Sequence, residues 1–505
     1  MLVWAVIPAC PESFLLCEER FPTRFACVND NYAAIAMTLC SINNKMRFLF
    51  YSCITMLFFI IAGCAHYPVN ETLKEYNPDA GYRGKFMRMP GKSDKILLFV
   101  TFSGGGTRAA ALSYGVLEEL AKTEVVIDGK KRRLLDEIDA ISSVSGGSFT
   151  AAYYGLFGDR IFEDFESSFL KKNIQGALTA RILFNPFNWL RLLSPYFDRS
   201  DLAAEYYDKY VFEGGTFGDI AERKGPMIIV NATDMTYGIR VGFTQDVFDV
   251  ICSDLLRFPV ARAVAASSAV PMVLTPITVR NYAGSCNYRM PEVLKTALKE
   301  GEITERQFYL ANNMAPYLDS GQKRYLHLLD GGISDNLGLR AILDRIVFRG
   351  NFWKSINNTK HKNVHKVIFI VVNAETQPDS IWDRVESPPI FTAMLDSYST
   401  IAIERYNVET IALLKESLKG WAEQVRTQRC PNGDVSRAPG SCGDIQFYVI
   451  EVKFNAMKDE KERSYFKRLP TSFRLGSGEV DKLRDAAHRI LFESKEFQRL
   501  LRDLR

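Results

Sequence analysis

Two glycine-rich turns and one aspartate carry the groups of this chain that could do chemistry. The first turn, Ser103-Gly104-Gly105-Gly106-Thr107-Arg108, follows the apolar run Ile96–Phe102. Beyond it Leu112, Val116, Leu117 and Leu120 recur at helical spacing, so the glycines occupy a strand-to-helix junction. Backbone N–H groups of Gly104, Gly105 and Gly106 can there open towards negative charge at a helix N-terminus. The second turn, Ser143-Val144-Ser145-Gly146-Gly147, lies between the strand-like Ile138–Val144 and a helical stretch over 147–156. A nucleophile elbow wants a serine on such a turn with small residues two places to either side. Ser143 stands where the usual G-x-S-x-G pattern has its first glycine, and Gly147 fills the second. Ser145 is thus a candidate nucleophile, with Gly146 adding one more N–H. The third piece is His327-Leu328-Leu329-Asp330-Gly331-Gly332. It sets a carboxylate on a turn that another backbone can approach closely.

A glycine cradle, an S-x-S-G-G elbow and an Asp-Gly-Gly turn, in that order, resemble the patatin-like phospholipases. The resemblance extends from about Lys95 to the C-terminal helix. Arg108 matches the basic residue after that family's cradle, while Ala109 stands where the pattern often has another glycine. The resemblance implies a three-layer α/β/α fold with a mostly parallel central sheet, and a Ser–Asp dyad that works without histidine. Ser145 and Asp330 would then be catalytic, and Gly104, Gly105, Gly106 and Gly146 would form the oxyanion hole. Arg108, Gly147, Gly331 and Gly332 would support them. The implied activity is lipid acyl hydrolysis of the phospholipase A or lysophospholipase type, on a phospholipid or lysophospholipid at a membrane surface, with no cofactor. A general carboxylesterase or thioesterase is the alternative within the chemistry. A non-catalytic, lipid-binding envelope lipoprotein is the alternative outside it.

An aspartate is a weak base, with an ordinary pKa near ~3.9. The apolar neighbours Leu328, Leu329 and Ile333 would raise it by desolvating the charged form. A Ser–Asp–His triad is the competing arrangement, because His361, His365 and His488 all follow Asp330. His361 and His365 lie among lysines, His488 sits beside the apolar face of an amphipathic helix, and His327 is placed to support its own turn. The dyad is therefore the preferred reading, and Asp335-Asn336 is expected to be structural.

The elements that must position these groups are legible as patterns. Met227–Asn231 and Val367–Val372 read as further buried strands, and Ala261–Pro271 as a small-residue helix whose serines pack rather than react. Residues 169–197 interleave aromatics and leucines with Lys171, Lys172, Arg181 and Arg191. That suits a lipid-facing or lid segment, although an ordinary packed helix pair is the commoner meaning of such a pattern. After Asp330 come a helix near 389–417, a polar insertion to 443, a strand Phe447–Phe454 and a last amphipathic element from Gly478.

The N-terminal part reads differently. Residues 1–45 lack periodicity and read as an over-extended start, with Met46 as the true one. Met46-Arg47, the apolar run Phe48–Ile61 and Ala62-Gly63-Cys64 describe a secretory signal over 46–63, and Ile61-Ala62-Gly63-Cys64 resembles the bacterial lipobox, which implies a lipoprotein signal peptide with Cys64 lipidated. A membrane-spanning anchor is the alternative, but the run is short against the roughly 20 residues a bilayer needs. Residues 64–92 then read as a tether and 93–505 as the acyl hydrolase domain. The implied location is a bacterial envelope, and Ala65 after the cysteine goes with outer-membrane sorting. Export also fits the even set Cys252, Cys286, Cys430 and Cys442. Cys430 and Cys442 flank a Pro/Gly/Asn-rich loop, which favours bridges 430–442 and 252–286 over four free thiols. No C-x-x-C pair exists, so no metal site is expected. The net charge of +4 over 505 residues is too small for nucleic acid, and no G-x-x-x-x-G-K-[ST] loop is present.

Overall fold

Near-continuous apolar runs such as ILLFVTF and KVIFIVVN want both faces covered, which makes them central strands of a parallel sheet. The structure, a computed structural model, describes residue 52 and residues 65–85, 90–300, 305–357, 363–377, 383–430 and 441–504. The elements that matter are β1 (Ile96–Phe102), α1 (Gly106–Lys122), the small hairpin β2 (Glu124–Ile127) and β3 (Lys130–Arg133), β4 (Ile138–Val144) and α2 (Gly146–Phe157). They continue with β5 (Met227–Asp234), β6 (Arg240–Gly242), α3 (Val260–Ser267), β7 (Ile277–Arg280), β8 (Tyr325–Asp330), α4 (Arg340–Phe348) and β9 (Lys366–Asn373). The last are α5 (Phe391–Arg429), β10 (Gln446–Lys453), α6 (Ser477–Glu493) and α7 (Lys495–Asp503).

The sheet order is β10-β9-β1-β4-β5-β8-β7, with β6 also pairing β5. From β10 to β5 every pairing is parallel; β6, β8 and β7 add antiparallel pairings at one side. Side-chain alternation divides the core into two layers. Leu98, Val100 and Phe102 of β1 and Ile368, Ile370 and Val372 of β9 face one cluster, with Leu112 and Val116 of α1 and Leu483 and Leu491 of α6. Leu97 of β1 and Val367, Phe369 and Val371 of β9 face the other, with Ile342 of α4 and Leu414, Trp421 and Val425 of α5. The sheet thus has helices on both sides, as the sequence implied. Truncating a fully buried member such as Phe369 is expected to destabilise the fold by ~3–5 kcal/mol.

Three expectations need correction. Residues 65–85 form no loose tether but a strap across the domain. Thr72 bridges Ser253, Leu73 N–H donates to Cys252 O at 2.7 Å, and Tyr76 N–H to Cys286 O at 2.8 Å. Tyr82 is fully buried, and Arg83 pairs with Asp246 at 2.5 Å and Asp249 at 2.6 Å. The polar, proline-bearing composition of this strap hid the fact that its side chains find partners on the body. The helix read as 389–417 runs on to Arg429, and the C-terminal element is two helices. Ser494 breaks it: its backbone is extended and its hydroxyl accepts the Phe497 N–H at 3.3 Å, starting α7. Residues 1–45, the signal-like run 46–63 except residue 52, and Cys64 lie outside the described residues, as does most of the 431–443 insertion. Among the described residues no helix is long and apolar enough to cross a membrane. Residues Ala62–Arg505 form one compact unit.

Candidate active site

The register of β5 brings the two candidate catalytic residues together. Val144, the last residue of β4, pairs with Asn231, and Asp330, the last residue of β8, pairs with the next position, Ala232. Ser145 follows Val144 directly. Its backbone sits at φ 49°, ψ −120°, a region that side-chain-bearing residues rarely adopt and that costs about 1–3 kcal/mol. Its N–H donates to Ser267 Oγ at 2.8 Å, and Ser267 Oγ donates in turn to Asn231 O at 2.6 Å. The Ser148 hydroxyl lies 3.1 Å from the same oxygen. Ser267 also takes the Gly331 N–H on its carbonyl at 3.1 Å, so this one residue at the end of α3 ties both catalytic turns together. Sequence reading assigned the serines of that helix to packing and missed this. The small residues flanking Ser267 were the available signal, because only a small-residue helix can come so close to the elbow.

Asp330 is held at its backbone on both sides, by Thr233 Oγ1 on its carbonyl at 2.8 Å and Ala269 O on its N–H at 3.0 Å. One carboxylate oxygen accepts the Gly332 N–H at 2.8 Å. Burial pushes the carboxyl from its ordinary 3.8 up to about 6; the Gly332 N–H and the Ser145 side chain hold the rise back. The carboxyl is therefore a better base than an exposed aspartate and is still ionised at neutral pH. Gly331 needs no unusual backbone (φ −65°) but allows a close approach: a Cβ there would stand 2.2 Å from Asn231 O.

The glycine cradle packs against the elbow. A Cβ on Gly146 would fall 2.0 Å from Gly106 O, and one on Gly147 2.7 Å from Phe102 Cβ. Gly105 and Gly106 have φ 136° and 59°, which only glycine adopts without strain, and α1 starts at Gly106. Of the four expected oxyanion donors, Gly104 is committed elsewhere: its N–H donates to Asn336 O at 3.1 Å. The strand β1 has ended at Phe102, and the Asn336 carbonyl, from the turn after Asp335, takes up the Gly104 N–H. Among the described residues the N–H groups of Gly105, Gly106 and Gly146 have no such partner, and Gly146 is the first residue of α2.

The Arg108 guanidinium lies beside the cradle, where a Cβ on Gly105 would stand 3.2 Å from its Nη2. Buried, it donates to Ala374 O at 3.3 Å, to Thr471 Oγ1 at 3.1 Å and to Leu469 O, and desolvation lowers its pKa to about 10. Thr107 N–H bonds Ser472 O at 2.9 Å beside it. Arg108 thus locks the cradle to the loop 469–472, the supporting place expected for it. Asp335 accepts the Arg340 N–H at 2.7 Å, and burial raises its carboxyl to about 7. None of the described histidines is bonded to Ser145 or Asp330: His66 Nδ1 lies 2.6 Å from Tyr67 O, His327 Nδ1 3.1 Å from Thr278 Oγ1, His365 Nδ1 2.9 Å from Asp444 O, and His488 against Glu119. His361 lies outside the described residues. Cys252 is bonded to Cys286 and Cys430 to Cys442. Among the described residues no group of acidic, histidine or cysteine side chains is arranged to hold a metal. An apolar cavity of about 220 Å³ lies beside β8, lined by Val279, Leu326 and Leu328 among others, and neither Ser145 nor Asp330 borders it.

Comparison with known proteins bears on the same stretch. The model of the patatin-like phospholipase family matches residues 100–343. No curated protein matches. Among solved structures, human GIVD cytosolic phospholipase A2 is 12% identical with a TM-score of 0.37, the alignment covering 81% of this chain and 62% of that one. VipD from Legionella pneumophila is also 12% identical, with a TM-score of 0.24, over 83% of this chain and 71% of its own. This chain thus spans less than two thirds of the human enzyme. The cradle, the elbow and the Asp330 turn all lie inside the matched stretch, so residues 100–343 are what this chain shares with the patatin-like phospholipase family.

Proposed function

We propose that this protein is a serine-dependent lipid acyl hydrolase that cleaves carboxylic esters of a phospholipid or lysophospholipid through Ser145 and Asp330. The observation that carries this reading is the meeting of a strained serine and a desolvated carboxyl beside Asn231 and Ala232 of β5, next to backbone N–H groups without partners among the described residues. Ser145 Oγ attacks the ester carbonyl carbon while Asp330 takes its proton. The oxygen that gains negative charge is held by the N–H groups of Gly105, Gly106 and Gly146 at the start of two helices. Collapse expels the alkoxide, which receives the proton from Asp330 and leaves an acyl-serine. Water, deprotonated by Asp330, then releases the fatty acid and restores Ser145. An aspartate has no tautomer to fix, so no third residue is required.

We also propose that Cys64 is lipidated and that the mature chain begins there, anchored in a bacterial envelope. The Ile61-Ala62-Gly63-Cys64 sequence supports this, and loss of lipid labelling in Cys64→Ser is the check. The activity test is fatty acid release from mixed phospholipid vesicles by the purified protein, beside Ser145→Ala and Asp330→Asn. Release that both substitutions abolish, with unchanged circular dichroism, is the expected result. Release only from simple esters would favour a carboxylesterase. No turnover of any ester, with equal vesicle binding by all three, would leave a lipid-binding lipoprotein.

A further inference from the structure

Residues 174–196 reverse the pattern of a packed helix pair. They form two short helices, Ile174–Leu183 and Pro186–Leu192, in which only Ile174 of the first and Asn188 of the second are buried. Asn188 Nδ2 donates to Arg181 O at 3.0 Å, and the side chains of Asn173 and Asn185 cap the two helices at 2.8 and 3.0 Å. Polar groups thus hold the hairpin together, while its apolar groups face out: Phe184 is 81% exposed, Leu193 63%, Phe187 60% and Trp189 51%. A cluster of large apolar side chains on an outer surface marks a place where something apolar is met.

Three further observations identify what is met. Cations border the hairpin. Arg181 lies over the rings of Tyr206 and Tyr210 at 5.1 and 5.2 Å, and among the described residues no carboxylate pairs with it; Arg199 is exposed. The strap joins the hairpin at its start: Ser194 Oγ donates to Ala65 O at 2.5 Å, Tyr67 N–H to Tyr196 O at 2.8 Å, and the His66 ring lies on Tyr196 at 5.3 Å. Ala65, where the described strap begins, therefore lies at this patch. The patch also borders the catalytic turn, since Arg199 donates to Met272 O at 3.4 Å. Met272 and Val273 are exposed, and Ala269, a few residues before them, carries the Asp330 N–H.

We propose that the hairpin 174–196, the loop at 272–273 and the strap at 65–67 form one surface that seats on an anionic phospholipid bilayer, with Phe184, Phe187, Trp189 and Leu193 entering the acyl region. This deepens the hydrolase reading by naming the surface on which it works. A lipid on Cys64 and the apolar hairpin then enter the membrane side by side, and the catalytic turn faces the layer that holds its substrate. Apolar insertion supplies the attachment, and the bordering cations select anionic headgroups.

The test uses residues 65–505, which keep nearly all of the compact unit and carry no lipid. Co-sedimentation with phosphatidylcholine vesicles, with and without phosphatidylglycerol, is measured for the parent, for Phe184→Ser/Phe187→Ser/Leu193→Ser and for Arg181→Gln/Arg199→Gln. The expected result is parent binding that phosphatidylglycerol strengthens and a fall of at least ~10-fold in the triple variant. The charge variant should lose only the phosphatidylglycerol preference. Tryptophan emission should shift to the blue on binding in the parent and the charge variant but not in the triple variant, and all three proteins should turn over a soluble short-chain ester equally. Unchanged vesicle binding by the triple variant would overturn the proposal. So would a parent dimer that the triple variant makes monomeric, which would identify a second copy as the occupant. Loss of soluble ester turnover in the triple variant would instead make the hairpin a lid over the site. Hairpin-dependent binding by a parent that cleaves no ester supports this surface while removing the hydrolase reading.

Discussion

Ser145 and Asp330 meet beside Asn231 and Ala232 of β5 on strands that run in opposite directions, and the fold holds each against a different force. The serine is held against its own backbone, at φ 49°, by the bond from its N–H to Ser267 and by the start of α2. The aspartate has no such strain, and Gly331 after it sits at φ −65°. What opposes Asp330 is electrostatic: its carboxyl is buried with the Gly332 N–H and the Ser145 side chain as compensation. A nucleophile must be presented by geometry, whereas a base must be tuned by its surroundings. The two turns look alike as letters, each a reactive residue followed by two glycines, yet they store different kinds of free energy.

Substitutions can separate the two. The largest effects fall on activity: Ser145→Ala and Asp330→Asn should each lower kcat/KM by at least ~10³-fold in a fatty acid release assay. An effect confined to one of them would break the pairing. Next are the close approaches. Gly146→Ala and Gly331→Ala place a Cβ 2.0 and 2.2 Å from a carbonyl oxygen, and each should cost ~3 kcal/mol or more by denaturant unfolding. Comparable losses from Gly→Ala at Gly420, where a Cβ meets nothing, would remove the argument from close approach.

The electrostatic half follows from the sign of the shift. The folded-state pKa of Asp330 is about 6, above its ordinary 3.8, so the folded state binds the proton more tightly. Stability contributed by this group is therefore present at low pH and lost as pH rises through that window. Asp330→Asn should raise stability by about 3 kcal/mol above pH ~7 and by little below pH ~4, read from urea titrations across pH. In the intact enzyme the acid limb of kcat/KM should have its midpoint near pH ~6; a midpoint near ~4 would mean that another group is the base. The smallest effect belongs to the backbone. Ser145→Gly relieves φ 49° and should gain about 1 kcal/mol at every pH, a pH-independence that Asp330→Asn should not share.

How much of this was legible depended on distance along the chain. β1, β5 and β9 announce themselves as apolar runs, because strands covered on both faces need no alternation, whereas β4 is marked by the elbow that follows it. The elbow, the cradle and Asp330 were readable for a related reason: each is a local turn with its chemistry written within a few residues. Ser267 was not, since its role rests on an Asn231 carbonyl and a Ser145 amide far away in sequence. Nor was the engagement of Gly104 by Asn336, which depends on how the later turn folds back. The strap 65–85 misled because proline and asparagine suggest a loop, and its partners at Ser253, Cys252 and Cys286 lie about 180 residues or more further on. The hairpin at 174–196 left two meanings open in the sequence, and only the side that its residues turn outward separates them.

The place of β1 between β4 and β9 has a consequence for how the chain is made. β4 leaves the ribosome soon after β1 and can pair with it at once. The other edge of β1 waits for β9, about 270 residues later, and Arg108 waits longer still for Leu469 and Thr471. At ~5–20 residues per second that interval is roughly fifteen to fifty seconds, during which a strongly apolar strand edge has no native partner. A nascent chain stalled before Lys366 is therefore the form of this protein most exposed to wrong pairing and most in need of a chaperone.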